Sequence, residues 1–417
     1  MSARFRRFPH LIAAVALLLA GCGGGGGGGS SSSTSSVPIP TGDCNAAATA
    51  PSVASNQTLI SVAQNPAVAT SSNPYTTVNL PFVSVTLCDG NQHCQTIDHV
   101  VVDTGSYGLR VLHSVLQPQL ALNPSTSGAG TLAECASFLS GYMWGGVFSA
   151  TVQIGGETTT RAIPVEIIDD DNALTLPPAP VSCSNGGTNI GTLNGIGGNG
   201  LLGLGLFVAD EGTYYSCSGA NCSLMSVSPP ASSQVSNPVA FFYADNNGAI
   251  LQMPAISGMG CPSATGTLTF GINTQANNNL QGYSVMPADG YGDFTATYNG
   301  MPSPSSYLDS GSNYNFLVIP GMGTDGQGDY TPPQYTLLSP VMLTSNVLTA
   351  PSSIQTSIGV ISPYAINSTY TAINDIAGMG NSGAIDFGMP FFYGKSIAFL
   401  LNGASVAQGS GPLYALH

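Results

Sequence analysis

Short apolar stretches, separated by glycine, asparagine, proline and serine, make up most of the chain from about Pro74 onward. The segments TVQIGG (151–156) and TLTFGI (267–272) alternate polar and apolar positions, as a half-buried strand requires. Turn-forming residues recur between such segments, and long stretches with helical periodicity are nearly absent. This pattern predicts an all-β, mostly antiparallel protein with few, short helices.

Two of the predicted strands end in the same tetrapeptide pattern. The segments VVDTGS (101–106) and YLDSGS (307–312) each have two apolar residues followed by Asp, Thr or Ser, Gly and Ser. A single copy would be interpreted as an ordinary Asx turn in a chain this rich in Gly, Ser and Thr. The second copy in a matching context predicts an internal repeat.

The repeat suits a site in which two carboxyl groups share one proton. Like charges about 3 Å apart cannot both ionise, so such a pair acts at once as base and acid toward water and a carbonyl group. Asp103 and Asp309 are therefore the candidate catalytic residues. Glycine lets each loop turn tightly, and hydroxyl groups can hold the carboxylates; the expected supporting residues are Thr104, Gly105, Ser106, Ser310, Gly311 and Ser312.

With these two loops the chain resembles the pepsin-like, bilobed aspartic peptidases, whose two lobes each contribute a D-[ST]-G-[ST] loop. The segments NGLLGLGL (199–206) and IDFGMPFFYG (385–394) are similar to the apolar-apolar-Gly element that packs behind each loop in that family. The resemblance covers about Pro74 to the end. It implies a two-lobed all-β fold (N-terminal lobe 74–270, C-terminal lobe 271–417), a monomer, a polypeptide substrate, and no cofactor or metal.

Two features depart from the pattern of that family. The segment FLSGYMWGGVF (138–148) stands where the family has its flap hairpin, and strand counting puts Phe138 at the usual tyrosine position. Tyr142 and Trp144 are the alternative residues over the substrate cleft. The second apolar-apolar-Gly element reads Asp386-Phe387-Gly388, which places an acid at an apolar position unless the alignment slips by one residue.

The charge of the chain limits its partners. Charged residues make up only 6%, and the 20 acidic residues all lie beyond Cys22, where the only cations are Arg110, Arg161 and Lys395. Such a surface repels phosphate backbones, so nucleic-acid binding is not expected. Arg110 is expected to be solvated.

The N-terminus is typical of an export signal. Three arginines precede the apolar run LIAAVALLLA (11–20), which is too short for a transmembrane helix. The run ends in LAGC (19–22), which resembles a bacterial lipobox and implies a signal peptide over 1–21 and lipidation of Cys22. Residues 22–73 then form a Gly/Ser-rich tether and N-terminal segment. A divergent bacterial lipoprotein anchored in the cell envelope is expected, and Gly23 favours the outer membrane. The chain also resembles a proteobacterial lipoprotein family of unassigned function.

Eight of the nine cysteines lie beyond Cys22, and an even number after an export signal predicts disulfide bonds. Only the local pairs in CDGNQHC (88–94) and CSGANC (217–222) are suggested by spacing, and the remaining connectivity stays open. A zinc site is not expected, because the spacings lack paired C-x-x-C units.

The sequence leaves several functions to compare. Both Asp residues are present, which favours an aspartic endopeptidase over an inactive pepsin-like scaffold that holds a peptide or glycan in its cleft. The altered flap and Asp386 favour the scaffold. Glycosidases also use two carboxyl groups, but the glycine of each loop has no part in their chemistry. A serine hydrolase is not expected, since no G-x-S-x-G motif occurs. An inert envelope protein is the remaining alternative.

Overall fold

A computed structural model describes residues 38–68, 77–128, 130–347 and 352–417. The predicted signal peptide, Cys22 and the glycine-rich start of the tether lie outside these residues. Within the described ranges, none of the helices has the length and apolar character needed to cross a membrane.

The fold is all-β and two-lobed, as predicted, with few and short helices. In chain order, the strands in the described residues are β1 (Gln57–Val62), β2 (Pro81–Cys88), β3 (Cys94–Asp103), β4 (Tyr107–Leu112), β5 (Asn123–Pro124), β6 (Thr126–Ser127), β7 (Gly130–Phe138), β8 (Gly141–Ile154), β9 (Glu157–Thr158), β10 (Ile163–Ile168), β11 (Gly200–Leu204), β12 (Thr213–Ser218), β13 (Asn221–Leu224), β14 (Gly248–Gln252), β15 (Ala264–Phe270), β16 (Ser284–Pro287), β17 (Phe294–Tyr298), β18 (Met301–Leu308), β19 (Asn315–Leu317), β20 (Thr336–Ser345), β21 (Ser353–Val360), β22 (Ala377–Met379), β23 (Asp386–Phe387), β24 (Ser396–Leu400), β25 (Ser405–Val406), β26 (Gly409–Ser410) and β27 (Leu413–Leu416).

The helices in the same residues are at most five residues long. The α-helices are α1 (Cys44–Ala48), α2 (Val181–Ser184), α3 (Leu193–Ile196) and α4 (Met389–Phe392). Short 3₁₀ turns occupy His113–Val115, Ala231–Ser233, Pro238–Phe241, Ala276–Asn278 and Pro363–Ala365. Such short segments agree with the lack of helical periodicity in the sequence.

Two sheets contain nearly all of the strands. The larger joins β1–β16 with β24 and β27, and the smaller has the order β21-β20-β17-β18-β23-β19-β22. Strands β16, β24 and β27 follow residue 271 in the chain, yet they pair within the larger sheet, where β24 lies between β14 and β27. Every residue of β24 is buried, which explains why this apolar strand takes an interior position in a sheet.

The β region starts earlier than the sequence pattern predicts. Strand β1 precedes Pro74 and pairs along its whole length with β15, and at its end with β2. A disulfide bond between Cys44 and Cys261 joins the segment before β1 to the segment before β15. Part of the predicted N-terminal segment is therefore built into the larger sheet.

The sequence repeat is also a repeat of strand pairing. In the first copy, β3 runs parallel to β11, β11 is antiparallel to β4, and β4 is parallel to β10. In the second copy, β18 runs parallel to β23, β23 is antiparallel to β19, and β19 is parallel to β22. Asp103 ends β3 and Asp309 directly follows β18. The two motifs therefore leave equivalent strands at equivalent places.

Four disulfide bonds are present in the described residues. The two local pairs, Cys88–Cys94 and Cys217–Cys222, confirm the prediction from spacing. The other two bonds join Cys44 to Cys261 and Cys135 to Cys183. These long-range pairs depend on the strand order, which the spacing of the cysteines does not contain.

Candidate active site

The structure brings the two Asp loops face to face. A Cβ atom built on Gly105 would lie 2.5 Å from Cγ of Asp309, and one built on Gly311 would lie 2.8 Å from Cγ of Asp103. Each loop therefore needs glycine, because a side chain would occupy the place of the opposite carboxyl group. Asp103 is 5% exposed, and Gly105 beside it is exposed, so the pair lies at the edge of the protein interior.

The first loop holds its carboxylate with one backbone and one side-chain donor. The N–H of Gly105 donates to Oδ1 of Asp103 at 2.8 Å, and the hydroxyl of Ser106 donates to Oδ2 at 2.5 Å. Both oxygens of the Asp103 carboxylate thus accept hydrogen bonds from residues of its own loop, as the sequence predicts.

The second loop repeats this arrangement around Asp309. The N–H of Gly311 donates to Oδ1 at 2.8 Å, and the hydroxyl of Ser312 lies 3.0 Å from Oδ2. Here the serine has a further acidic neighbour, because its Oγ is also 2.6 Å from Oδ2 of Asp386. The second loop therefore contacts a carboxyl group that has no equivalent in the first.

Thr104 and Ser310 join the two loops through reciprocal hydrogen bonds. The hydroxyl of Thr104 donates to the carbonyl of Leu308 at 3.0 Å and accepts the N–H of Ser310 at 2.9 Å. The hydroxyl of Ser310 donates to the carbonyl of Val102 at 2.7 Å and accepts the N–H of Thr104 at 3.2 Å. Both side chains are buried, so these bonds fix the relative position of the loops without competition from water.

The electrostatic environment favours a proton on Asp309. Burial raises the pKa of Asp309 well above its usual range, and the negative charges of Asp103 and Asp386 raise it further, while the hydrogen bond from Ser312 opposes them. Burial likewise raises the pKa of Asp386 to about 8 against the hydrogen bond from Ser312, with the charge of Asp103 adding to the effect of burial. The site therefore holds protons on carboxyl groups at neutral pH.

The acid in the second apolar-apolar-Gly element is a real feature and not a slip of the alignment. Leu202 and Phe387 hold equivalent positions, since each pairs in parallel with the residue directly before an Asp of the motif. The residue before each of them is Leu201 in the first copy and Asp386 in the second. Asp386 thus replaces a buried leucine of the first copy.

The predicted flap corresponds to the hairpin of β7 and β8. Phe138 ends β7 and pairs with Gly141, and Leu139, at the tip, is 77% exposed. Phe138 is partly buried and packs against an apolar cluster that contains Val101 of β3. Leu139 was not expected from the sequence; the turn between two predicted strands is the signal that could have identified it.

Trp144 does not lie over a cleft, and this part of the sequence prediction is wrong. The residue is 5% exposed, its Nε1 donates to the carbonyl of Pro177 at 3.0 Å, and its ring packs edge-on against Tyr215 at 5.3 Å. It belongs to a small apolar cluster with Cys135 and Cys183, against which Tyr142 also packs. The side chains on this face of β8 point into that cluster, because strand residues two apart share a face.

Arg110 is buried, contrary to the expectation that it is solvated. Its Nη2 lies 2.7 Å from Glu134 and 2.6 Å from Asp210, and its Nε lies 2.9 Å from Glu166. Its Nη1 donates to the carbonyl of Tyr107 at 2.7 Å, the residue that starts the strand after the first loop. A single cation among three buried acids cannot neutralise them all, so this acidic cluster also retains protons.

A small pocket adjoins the first loop. It has a volume of about 120 Å³, and its lining includes Gly105, Tyr107, Tyr307 and Asp293. Tyr107 directly follows the first Asp motif in the sequence, and Tyr307 lies two residues before Asp309 of the second motif. This closeness to the motifs is the only sequence signal that could have pointed to the two tyrosines. Within the described residues, no group of three or more His, Cys, Asp or Glu side chains is arranged to hold a metal ion.

Comparison with known proteins places the chain in a family. No curated protein matches the sequence significantly. Residues 52–416 match the model of the protein family of unknown function DUF3443, which therefore covers both Asp loops, both sheets and strand β1. The chain belongs to the DUF3443 family.

Proposed function

We propose that the chain is an aspartic endopeptidase that hydrolyses peptide bonds with Asp103, Asp309 and an activated water molecule. The observation that carries this proposal is the geometry of the two loops, in which each glycine is covered by the carboxyl group of the opposite Asp. The raised proton affinity of Asp309 supports it, because such a pair needs one ionised and one protonated carboxyl group.

The proposed reaction uses the two carboxyl groups in different roles. Asp103 takes a proton from water while the water oxygen bonds to the peptide carbonyl carbon, and Asp309 gives its proton to the carbonyl oxygen. The C–N bond of the resulting gem-diol then breaks, the leaving amine takes the proton from Asp103, and one hydroxyl group of the gem-diol returns a proton to Asp309. The products are a carboxylic acid and an amine, so atoms and protons balance without a cofactor.

The proposed setting is the bacterial cell envelope. The lipobox-like segment before Cys22 supports an N-terminal lipid anchor, and the four disulfide bonds suit an oxidising compartment. The substrate would be a polypeptide, and the protein would act as a monomer tethered at the outer membrane.

The test compares cleavage by the oxidised chain from Gly23 onward with that by Asp103→Asn and Asp309→Asn. An unfolded protein substrate is incubated with each from about pH 3 to pH 7, and fragments are measured. We expect each substitution to lower kcat/KM by about a thousandfold or more, since the pair acts as a unit. Asp98→Asn is the matched control, because Asp98 lies on the same strand with its side chain 70% exposed.

A second candidate function is a binding scaffold without catalysis. The exposed Leu139 and the absence of a hydroxyl group on Phe138 at the hairpin tip favour it, since both residues could contact a peptide or glycan without assisting hydrolysis. If the unmodified chain and both Asn variants are equally inactive while their melting temperatures show that all three fold, the peptidase proposal is rejected in favour of this one.

A further inference from the structure

The hydroxyl group of Ser312 lies between two carboxyl groups. Its Oγ is 3.0 Å from Oδ2 of Asp309 and 2.6 Å from Oδ2 of Asp386. A hydroxyl group has one hydrogen to donate, so Ser312 cannot donate to both at once. In the first loop Leu201 stands where Asp386 stands in the second, so Ser106 faces no equivalent competition from that position.

Asp386 is held where ionisation is costly. It is 6% exposed, and its Oδ1 makes no hydrogen bond of normal geometry among the described residues. A buried carboxylate with few hydrogen-bond donors loses much of its solvation, so the protonated form is favoured. The protonated carboxyl can donate to Oγ of Ser312, and Ser312 can then donate its own hydrogen to Asp309.

The titratable groups around Asp386 are acidic or phenolic. Asp103 acts on it through its negative charge, and Asp309 is linked to it through Ser312. Tyr307 faces it from the paired strand β18 and lies within reach of its carboxyl group, and the charge of Asp293 acts on Tyr307 in turn. These neighbours disfavour a negative charge on Asp386, except for the donors Ser312 and Tyr307.

We propose that Asp386 is a third acid of the site, a positioning residue that sets how tightly Asp309 holds its proton. The inference deepens the proposed peptidase function and rests on it. When Asp386 ionises, it adds a like charge and takes the hydrogen of Ser312 away from Asp309. Both changes strengthen the hold of Asp309 on its proton once the pH is high enough to ionise Asp386, so in that range the pair keeps its shared proton to higher pH than two carboxyl groups alone.

The first test measures kcat/KM from about pH 3 to pH 9 for Asp386→Asn and Asp386→Leu, the latter restoring the residue type of the first copy. We expect the alkaline limb of the profile to move to lower pH by about one unit in both variants. Asp375→Asn is the matched control, because Asp375 is a second buried Asp, 5% exposed, outside the two loops. A lower rate with both limbs unmoved would show a structural role only and would overturn the inference.

The second test does not need activity. The pH dependence of unfolding is compared between chains with Asp309 and with Asn at that position, once with Asp386 present and once with Asp386→Asn. We expect the pH range in which Asp309 affects stability to shift down by about one unit when Asp386 is replaced. An unchanged range overturns the inference even in an active enzyme. A shifted range in a chain that cleaves nothing keeps the inference about Asp386 and rejects the peptidase function.

Discussion

At the scale of single residues, the hydroxyl groups of Thr104 and Ser310 each donate one hydrogen bond and accept another. Each hydroxyl donates to a carbonyl of the opposite strand and accepts an N–H of the opposite loop, and both side chains are buried. Removing either hydroxyl leaves one buried N–H and one buried carbonyl without a partner. The two residues should therefore matter to stability in equal measure.

We expect Thr104→Val and Ser310→Ala each to lower the free energy of unfolding by about 2–3 kcal/mol. Urea unfolding can be followed by the fluorescence of Trp144, which is the single tryptophan of the chain and is buried. Thr126→Val on an exposed strand position is the control. If either substitution costs no more than this control, the reciprocal bonds do not hold the loops together.

The hydroxyl groups of Thr104 and Ser310 were expected to hold the carboxylates, yet they donate to carbonyl groups of the opposite strands. The close approach of the two Asp residues was predictable because the motif is local and occurs twice. The positions of Arg110 and Trp144 were not, because burial of a long side chain depends on which strands pack beside it. Arg110 finds its acidic partners at Glu134, Glu166 and Asp210, and the sequence separation between them hides the contact. Contacts could therefore be predicted from a short repeated sequence motif, but not between other residues far apart in the sequence.

At the scale of elements, the segment before β1 is joined to a distant strand by one covalent bond. Cys44, the first residue of α1, is bonded to Cys261 across 217 positions of the chain, whereas Cys217 and Cys222 are separated by only 5. In the chain-entropy view, a bond that closes a long loop restricts the unfolded chain more than one that closes a short loop.

We expect the double substitution of Cys44 and Cys261 by alanine to lower the free energy of unfolding by about 4–5 kcal/mol. The same change at Cys217 and Cys222 should cost about 2 kcal/mol, and it serves as the matched control. Denaturant unfolding of both variants and of the unmodified chain measures the difference. Equal costs would contradict the expected dependence on loop length.

The alternating sequence pattern predicted that the chain is mostly strands. The repeated Asp motif predicted an internal repeat, and the structure has it as equivalent strand pairings around β3 and β18. The early start at β1 was missed, since Gln57–Val62 is a short segment set among small polar residues. Its place depends on its pairing with β15, a contact between residues far apart in the chain. Long-range pairing is the information that a local pattern lacks.

At the scale of the whole molecule, the chain combines a strong excess of acids with several acids that are buried. Burial raises the pKa of Glu166 to about 7, with Arg110 opposing and Asp210 adding, and burial raises the pKa of Glu134 as well. A folded-state pKa above the ordinary 4.5 stabilises the fold fully below that value, and the contribution is lost as pH rises through about 7. The fold should accordingly be more stable in mild acid than in mild alkali.

We expect the free energy of unfolding to fall by about 1–3 kcal/mol between pH 5 and pH 8, and this fall to become smaller in Glu166→Gln. Thermal melting across that range measures the effect. The exposed Glu211→Gln is the matched control and should keep the fall of the unmodified chain. A fall that is equally steep in Glu166→Gln would show that the buried cluster does not titrate as expected.

The disulfide bond between Cys44 and Cys261 also determines which part of the chain bears a pulling force. A pull on the chain from its N-terminal side reaches Cys44 before it reaches β1, and the bond passes the force directly to the start of the β15 segment. The hydrogen bonds between β1 and β15 are then bypassed and not opened one after another. For a pull between the two ends of the chain, the bond therefore removes the segment from Cys44 to Cys261, with the first Asp loop, from the path of the force.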